Sequence, residues 1–403
     1  MNKKQIRESK KILRQYFEKI KEDQAKFSPK SPKIPLAIPP YGWEEIDESL
    51  DSLLNMKTTM GEKVKLFEKK FAKYLGAKYA LMVNSGSSAN LLALSILSNQ
   101  RLGKKRIQNR DEIITPAVTW ATTVYPIINV GARPVFVDVN KETYNIDPDK
   151  IEKAITKKTR AIMPIHYGGQ CSEMEEITEI AKKHDLFVIE DAAPAIGATH
   201  KRRKAGTFGT ISAFSFFPDK NLTTGEGGMV VTSDPELADK CEELRKNGAS
   251  SRYHHTSIGW NFKMPDPNAA LGLSQLKRIE SVIETKNKIA KYYQTSLEKI
   301  NGIQPPIVKE YNLHTFMLYS ILTKDLKQRE EIKNTLANKG IESRINFPSV
   351  HLQPIYKQMF GFQNDSFPIS ENLSDRILGL PIFFSMKEEQ QDQIVNVIRE
   401  IAK

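Results

Sequence analysis

Ser212-Ala213-Phe214-Ser215-Phe216-Phe217-Pro218-Asp219-Lys220-Asn221-Leu222-Thr223-Thr224-Gly225-Glu226-Gly227-Gly228 is the stretch from which the fold can be read. An apolar, aromatic-rich run of strand length delivers Lys220 into a polar turn, and glycines return the chain to a second strand-like run, Met229-Val230-Val231-Thr232. A lysine held against poorly hydrated aromatic surfaces has its charged form disfavoured, which makes its amine a candidate nucleophile for a Schiff base. A lone lysine in a turn is ordinarily a solvated charge. The residues around it in the sequence decide between the two readings.

Working outward, short Val/Ile-rich runs at 79–83, 112–116, 134–139, 161–166, 186–190, 211–217 and 229–232 alternate with helical patterns at 88–98, 119–129, 147–157, 173–184 and 235–247. Buried strands separated by helices predict a mainly parallel sheet covered on both faces. This α/β domain is expected over residues 43–280. A long charged helix pattern from about residue 275 to 300, a strand at 315–323 and helices at 329–339 and 389–401 predict a smaller α+β domain over 281–403. Residues 1–42 read as a basic helix, with Ile6, Leu13, Tyr16, Phe17 and Ile20 on one stripe, followed by a Pro/Ser-rich linker. That stripe is expected to pack on the body or on a partner subunit.

Composition narrows the function. The chain has 403 residues, 39% hydrophobic, 8% aromatic, with a net charge of +12. Residues 1–33 hold eleven Lys/Arg against four acids, so much of the excess sits in the N-terminal segment and the body is near balance. Without a nucleic-acid motif this charge does not predict nucleic-acid binding; it suits attraction of an anionic small substrate. No apolar run approaches the ~18 residues of a membrane span, and the start lacks a signal-peptide core, so a cytoplasmic location is expected. Cys171 and Cys241, without clustered histidines, predict neither a disulfide nor a metal site.

Each remaining motif lies at a strand-to-loop junction. In Asn84-Ser85-Gly86-Ser87-Ser88-Ala89-Asn90, Gly86 allows a sharp turn, and Ser87 and Ser88 place hydroxyls where free backbone N–H groups open a helix, a phosphate seat or simply a serine cap. Asp191, in Ile189-Glu190-Asp191-Ala192-Ala193, ends a buried strand, where a carboxylate is costly unless paired. It caps a following helix or meets a cationic ring nitrogen. Trp120 can stack on a planar ligand or fill core, and His166 closes another strand. A phosphate seat, a stacking ring, an aspartate and a lysine each have a separate task on one molecule, pyridoxal 5′-phosphate.

The succession of these motifs, with Thr115-Pro116-Ala117-Val118-Thr119-Trp120, Pro134-Val135-Phe136-Val137-Asp138-Val139, His166-Tyr167-Gly168-Gly169-Gln170, Gly225-Glu226-Gly227-Gly228 and Gly259-Trp260-Asn261-Phe262-Lys263-Met264, resembles the DegT/DnrJ/EryC1/StrS family of nucleotide-sugar aminotransferases. The resemblance runs from about residue 40 to the end. It implies an aspartate-aminotransferase-type fold (fold type I), a homodimer with shared active sites, and transfer of an amino group from L-glutamate to C3 or C4 of a nucleotide-linked keto sugar for amino-sugar and cell-surface glycan synthesis. By the same resemblance Lys220 is the Schiff-base lysine, Asp191 partners the pyridine nitrogen, and Trp120 stacks on the ring. Ser87, Ser88 and Ser215 touch the phosphate, Asn261 reaches it from the neighbouring subunit, and Tyr253, His254 and His351 lie toward the sugar nucleotide. Pro194 stands where the family usually has Gln or His, and Pro265-Asp266-Pro267-Asn268 makes the loop after Asn261 unusually proline-rich. The alternatives are a keto-sugar nucleotide dehydratase, whose branch replaces the lysine by histidine, and a non-catalytic sensor that binds the cofactor.

Overall fold

In the computed structural model, residues 3–24, 27–28 and 32–402 are described. The expected basic helix and linker therefore fall partly outside the described residues, at 1–2, 25–26 and 29–31, including Lys26 and Lys30.

The fold starts from an amphipathic helix, α3 (Glu62–Leu75), which buries Val64, Phe67, Phe71 and Leu75 at helical spacing and ends on Gly76, whose φ of +79° an L side chain rarely adopts. The chain then enters a seven-stranded sheet made of β1 (Tyr79–Val83), β2 (Glu112–Pro116), β3 (Arg133–Val137), β4 (Thr159–Ile162), β5 (Phe187–Asp191), β6 (Ile211–Ser215) and β7 (Gly228–Thr232). Their order is β1-β7-β6-β5-β4-β2-β3. The β6–β5, β5–β4, β4–β2 and β2–β3 pairs are parallel, and β7 runs antiparallel to both neighbours. The expected mainly parallel sheet is present, and its one reversed strand follows from the lysine turn, which brings the chain straight back beside the strand it left.

Strand alternation divides the core between two faces. Ala213 and Val230 join Val83, Leu92, Ile113 and Ile189 on one side, whereas Phe214, Met229 and Val231 join Phe67, Phe71 and Leu273 on the other. Helices α4 (Gly86–Leu97) and α8 (Pro235–Leu244) cover the first face, and α3 and α9 (Asp266–Leu276) cover the second. A fourth cluster, of Ile114, Ile162 and Val188 with Ile151 of α6 (Pro148–Ala154) and Ile177 of α7 (Met174–Lys183), continues the sheet's cover toward β3.

Beyond α10 (Ile279–Leu297), a separate cluster gathers Tyr293, Leu297, Ile332, Leu336, Ile394 and Ile398 around the antiparallel pair β8 (Tyr319–Leu322) and β9 (Ile377–Leu380). Ile34 belongs to this cluster and bridges to Ile341, so residues around 34, read as linker, lie against the C-terminal layer. The N-terminal helix α1 (Lys3–Gln24) touches the body through Phe17 against Trp43 and through Lys10, 2.7 Å from both Asp47 and Asp51. Ile6, Leu13, Tyr16 and Ile20 of its stripe remain exposed.

One buried residue of the C-terminal region sets an acid limit on stability. His314 is stacked on Phe316 with ring centroids 4.0 Å apart, and its Nδ1 accepts the Phe316 N–H at 2.8 Å. Burial pushes its imidazole down to about 3. The unfolded chain binds this proton near pH 6.5 and the folded chain only near 3, so stability is lost as pH falls through that window. The expected loss is roughly 5 kcal/mol at its lower end. Chemical denaturation at pH 7 and pH 4 should show it, with a shallower pH dependence in His314→Leu.

Candidate active site

Carboxyl ends of the parallel strands and the loops that follow them carry every central candidate, the place where open α/β sheets bind ligands. Asp191 is the last residue of β5 and is 3% exposed. Its Oδ2 accepts the Asn90 Nδ2–H at 3.0 Å and the Thr123 hydroxyl at 2.7 Å, and its Oδ1 accepts the Ala193 N–H at 3.2 Å. Since Thr123 donates to the carboxylate, the 2.7 Å contact between Thr119 and Thr123 has Thr119 as donor. The chain after Asp191 turns rather than forming a helix, so this aspartate does not cap one. Three neutral donors fix its direction and leave acceptor capacity, with no cation paired to it among the described residues. A cationic group on a bound ligand would supply the missing charge.

Asn90 and Thr123 come from α4 and α5 (Ala121–Asn129), so one carboxylate ties together the two helix starts that carry the other candidates. Asn90 Oδ1 is buried without a partner beside it. At the start of α4 the cap is Ser85: its Oγ accepts the Ser88 N–H at 3.1 Å and donates to Ser88 Oγ at 3.0 Å. This revises the expected roles within Ser85-Gly86-Ser87-Ser88. Ser88 is engaged by the cap, while the N–H groups of Gly86 and Ser87 have no partner among the described residues, and Ser87 is exposed. Two free N–H groups at the positive end of a 12-residue helix, beside a hydroxyl, form an anion seat.

Ser215, the last residue of β6, faces this seat. A Cβ on Gly86 would lie 2.6 Å from Ser215 Cβ and 2.9 Å from Ser215 Oγ, and one on Gly228 would lie 2.2 Å from the Ser85 carbonyl oxygen. Glycine at both positions lets the strand ends and the helix start close on each other.

Lys220 lies in the turn between β6 and β7, its N–H on the Phe217 carbonyl at 3.0 Å. Neighbouring residues anchor the turn. Asn221 Nδ2 donates to the Thr315 carbonyl at 2.8 Å, and Gln275 of α9 accepts the Thr223 N–H at 3.1 Å and donates to its carbonyl. The Lys220 side chain is 15% exposed, its Nζ 3.0 Å from Asp219 Oδ1. Trp120 precedes α5, 55% exposed, with Phe347 5.6 Å away, so its ring offers an open face near the start of the helix that holds Asp191.

Beneath Asp191 lies a fully buried pair. Ser172 donates its N–H to His166 Nδ1 at 3.2 Å, so Nε2 carries the hydrogen and donates to Glu190 at 3.0 Å. Glu190 also receives the N–H groups of Gly206, Phe208 and Gly209 at 2.6–2.7 Å. His166 is thus committed to holding the strand ends in place.

The outer candidates separate. Asn261 is exposed, and the next residue, Phe262, accepts the Asn84 N–H at 3.1 Å just before the Ser85 cap. Tyr253, 85% exposed, and His254 occupy a small hairpin that pairs 249–251 with 254–255. His351, expected among the substrate contacts, is instead buried with Phe136, Phe362 and Phe367 around it and Nε2 on Glu371 at 3.1 Å. Desolvation pushes its imidazole below the usual range despite Glu371. Aromatic residues close in sequence, Phe360, Phe362 and Phe367, draw this histidine into core.

Sequence reasoning had not singled out Asn90 and Thr123, the residues that orient the carboxylate. Their signal was present: Asn90 closes the seat motif and Thr123 follows Trp120 by one helical turn. Among the described residues no group of three His, Cys, Asp or Glu is placed to hold a metal ion, and no helix is long and apolar enough to cross a membrane. The unpaired Gly86 and Ser87 N–H groups, the cation-free Asp191 and the orphaned Asn90 oxygen fit a phosphorylated pyridine aldehyde such as pyridoxal 5′-phosphate.

Comparison with known proteins gives the same direction. Residues 41–399 match the model of the DegT/DnrJ/EryC1/StrS aminotransferase family. The chain is 39% identical over 386 residues to the spore coat polysaccharide biosynthesis protein SpsC of Bacillus subtilis (strain 168), covering 92% of this chain and 97% of that one. It is 40% identical over 359 residues to GDP-perosamine synthase of Escherichia coli O157:H7, covering 89% and 94%. Among solved structures, the PLP form of the putative sugar aminotransferase Spr1654 from Streptococcus pneumoniae superposes with a TM-score of 0.86 at 26% identity, covering 92% of this chain and 98% of that one.

Proposed function

Because the chain belongs to the DegT/DnrJ/EryC1/StrS aminotransferase family, we propose that it is a pyridoxal 5′-phosphate-dependent enzyme that moves an amino group from L-glutamate to C3 or C4 of a nucleotide-linked keto sugar. The observation that carries this reading is the retained pair of Lys220, on its anchored turn, and Asp191, buried without a cation partner. Relatives named for GDP-perosamine synthesis and spore coat polysaccharide biosynthesis support a sugar-nucleotide substrate and a role in cell-surface glycan assembly.

In this reading Gly86 and Ser87, with Ser215 opposite, would hold the cofactor phosphate, and Trp120 would offer its ring for stacking. When bound, the cofactor supplies an electron sink that makes the donor Cα–H acidic. Lys220 would hold the cofactor through its amine, and that amine, when free, would move the proton of the donor Cα. Asp191, fixed by Asn90 and Thr123, would keep the ring nitrogen protonated. Exposed Asn261, next to Phe262, whose carbonyl accepts the Asn84 N–H, suits completion of the phosphate seat across a homodimer interface. The hairpin that carries Tyr253 and His254 suits contact with the sugar nucleotide.

Offering the purified enzyme L-glutamate with a panel of UDP-, dTDP- and GDP-linked keto sugars, and weighing the products, tests this reading. An amino sugar formed with stoichiometric 2-oxoglutarate is the expected result. A deoxygenated sugar without nitrogen would assign a dehydratase instead, and spectral change without product would assign a sensor.

A further inference from the structure

Helix α8 buries two opposite charges beside its apolar face. Leu237, Ala238, Cys241 and Leu244 pack toward the sheet, and Lys240 and Glu243, next to them, are only 4% and 7% exposed. The chain that meets these charges is the neck of the hairpin that carries Tyr253 and His254. Lys240 Nζ donates to Glu243 Oε2 at 2.8 Å and to Ser257 Oγ at 2.9 Å, and the Thr256 hydroxyl donates to Glu243 Oε1 at 2.8 Å. Arg101, itself exposed, adds a longer contact to Glu243 at 3.8 Å.

The neck is tight. Gly248 has a φ of +72°, and a Cβ there would run into the Ser257 carbonyl, as one on Gly259 would run into the Gly248 nitrogen. Thr256 and Ser257 both donate their N–H groups to the Gly248 carbonyl, at 3.0 and 3.3 Å. Beyond the neck the hairpin stands alone. Among the described residues its other side-chain hydrogen bonds, Ser250 with His254, Arg252 with Tyr253 and His255 with the Asn247 carbonyl, stay within 247–255.

The chain after the neck is held by different bonds. Trp260 donates its N–H to the Leu244 carbonyl at 2.8 Å, Phe262 donates to the Arg245 carbonyl at 3.1 Å, and Asn84 donates to the Phe262 carbonyl at 3.1 Å. This backbone run leads to the anion seat without using the Lys240 or Glu243 side chains.

Building on the sugar-nucleotide reading of the hairpin made above, we propose that Lys240 and Glu243 are positioning residues, a buried brace that holds the Tyr253–His254 hairpin in the pose that receives the keto-sugar nucleotide. Removing either partner leaves the other charge buried and unpaired, so the two act as a unit. A hairpin in the right pose for only a fraction of the time lowers the apparent affinity for its ligand by that fraction. The glutamate half of the reaction, served by Lys220, Asp191 and the anion seat, is independent of the brace.

Three holoenzyme variants test this: Thr256→Val, Lys240→Met, and Lys240→Met combined with Glu243→Leu. Replacing a buried ion pair as a whole by apolar side chains costs little stability, whereas breaking it costs more. The double variant should therefore melt near the wild type, and Lys240→Met below it. In the double variant amide hydrogen exchange should quicken across 249–258 and stay unchanged across β5 and β6. With the keto-sugar nucleotide that turns over in the panel above, its KM should rise about tenfold, as for a braced pose populated about a tenth of the time, with a smaller rise in Thr256→Val. The rate at which L-glutamate alone removes the visible band of the lysine-bound cofactor should not change. If the pair is merely structural, the double variant recovers wild-type KM and hairpin exchange along with its melting, and the proposal is overturned. Equal losses in the glutamate and sugar halves overturn it too. If either Lys240 variant does not fold, Thr256→Val decides through the same two readouts. A wild-type enzyme that turns over no sugar of the panel would instead overturn the substrate reading, and hydrogen exchange would still decide whether the brace holds the hairpin.

Discussion

Lys220→Ala is expected to fold, to show no visible band from lysine-bound cofactor, and to give no turnover above background. Folding should survive because the substitution removes only a partly exposed ion pair with Asp219, worth about 1 kcal/mol at most. The anchors of the turn, from Asn221 to Thr315 and from Thr223 to Gln275, involve other side chains. Catalysis should not survive, since the deleted amine is both the covalent attachment and the proton carrier, and the described turn offers no second amine there to replace it. Absorbance of the purified variant and single-turnover assays with glutamate check both halves. Turnover by Lys220→Ala would remove the lysine from the mechanism.

The second large effect is expected at Asp191→Asn. Asn90 and Thr123 both donate to one carboxylate oxygen and Ala193 donates to the other, so an amide, with a single oxygen, leaves one donor facing an NH₂ group. Stability should fall by about 1–3 kcal/mol, a loss that a well-folded enzyme tolerates. The chemical loss is larger, because a neutral amide does not keep a ring nitrogen protonated. Turnover should drop on the order of 10³-fold. Denaturation curves and rates measured on the same preparation separate the two. A variant with unchanged turnover would mean that Asp191 does not face the cofactor.

These two residues were legible because an apolar run announces the strand before each: Asp191 ends its strand, and Lys220 lies in the turn that follows Ser215. Ile189 and Phe214 mark burial, and a charge following such a run needs a reason. The reversal of β7 was not read from the sequence; it arises because the residues between Ser215 and Gly228 form the lysine turn and no crossover helix.

Elsewhere local signals were ambiguous. Pro265-Asp266-Pro267 read as an irregular loop, yet it opens α9, because proline is tolerated in the first helical turn, where no N–H is needed. The strand expected to reach His166 stops at Ile162, two residues before Pro164, which has no N–H for a ladder. Three serines around Gly86 look alike as caps, and only geometry shows that Ser85 caps and Ser87 stays free. His351 read as a loop histidine because its aromatic shell comes from Phe136 as well as from nearby residues. Lys240 and Glu243 were hidden in the charged run from Asp239 to Lys246. The hairpin neck that meets them returns from Thr256 and Ser257, a contact no local pattern announces.

The central claim is a covalent bond between one named amine and the cofactor. Reducing the holoenzyme with borohydride, digesting it and weighing the peptides reads that bond directly. The phosphopyridoxyl group is expected on the peptide that contains Lys220, and on Lys220 within it. The group found on any other lysine, or on no lysine at all, would contradict the claim.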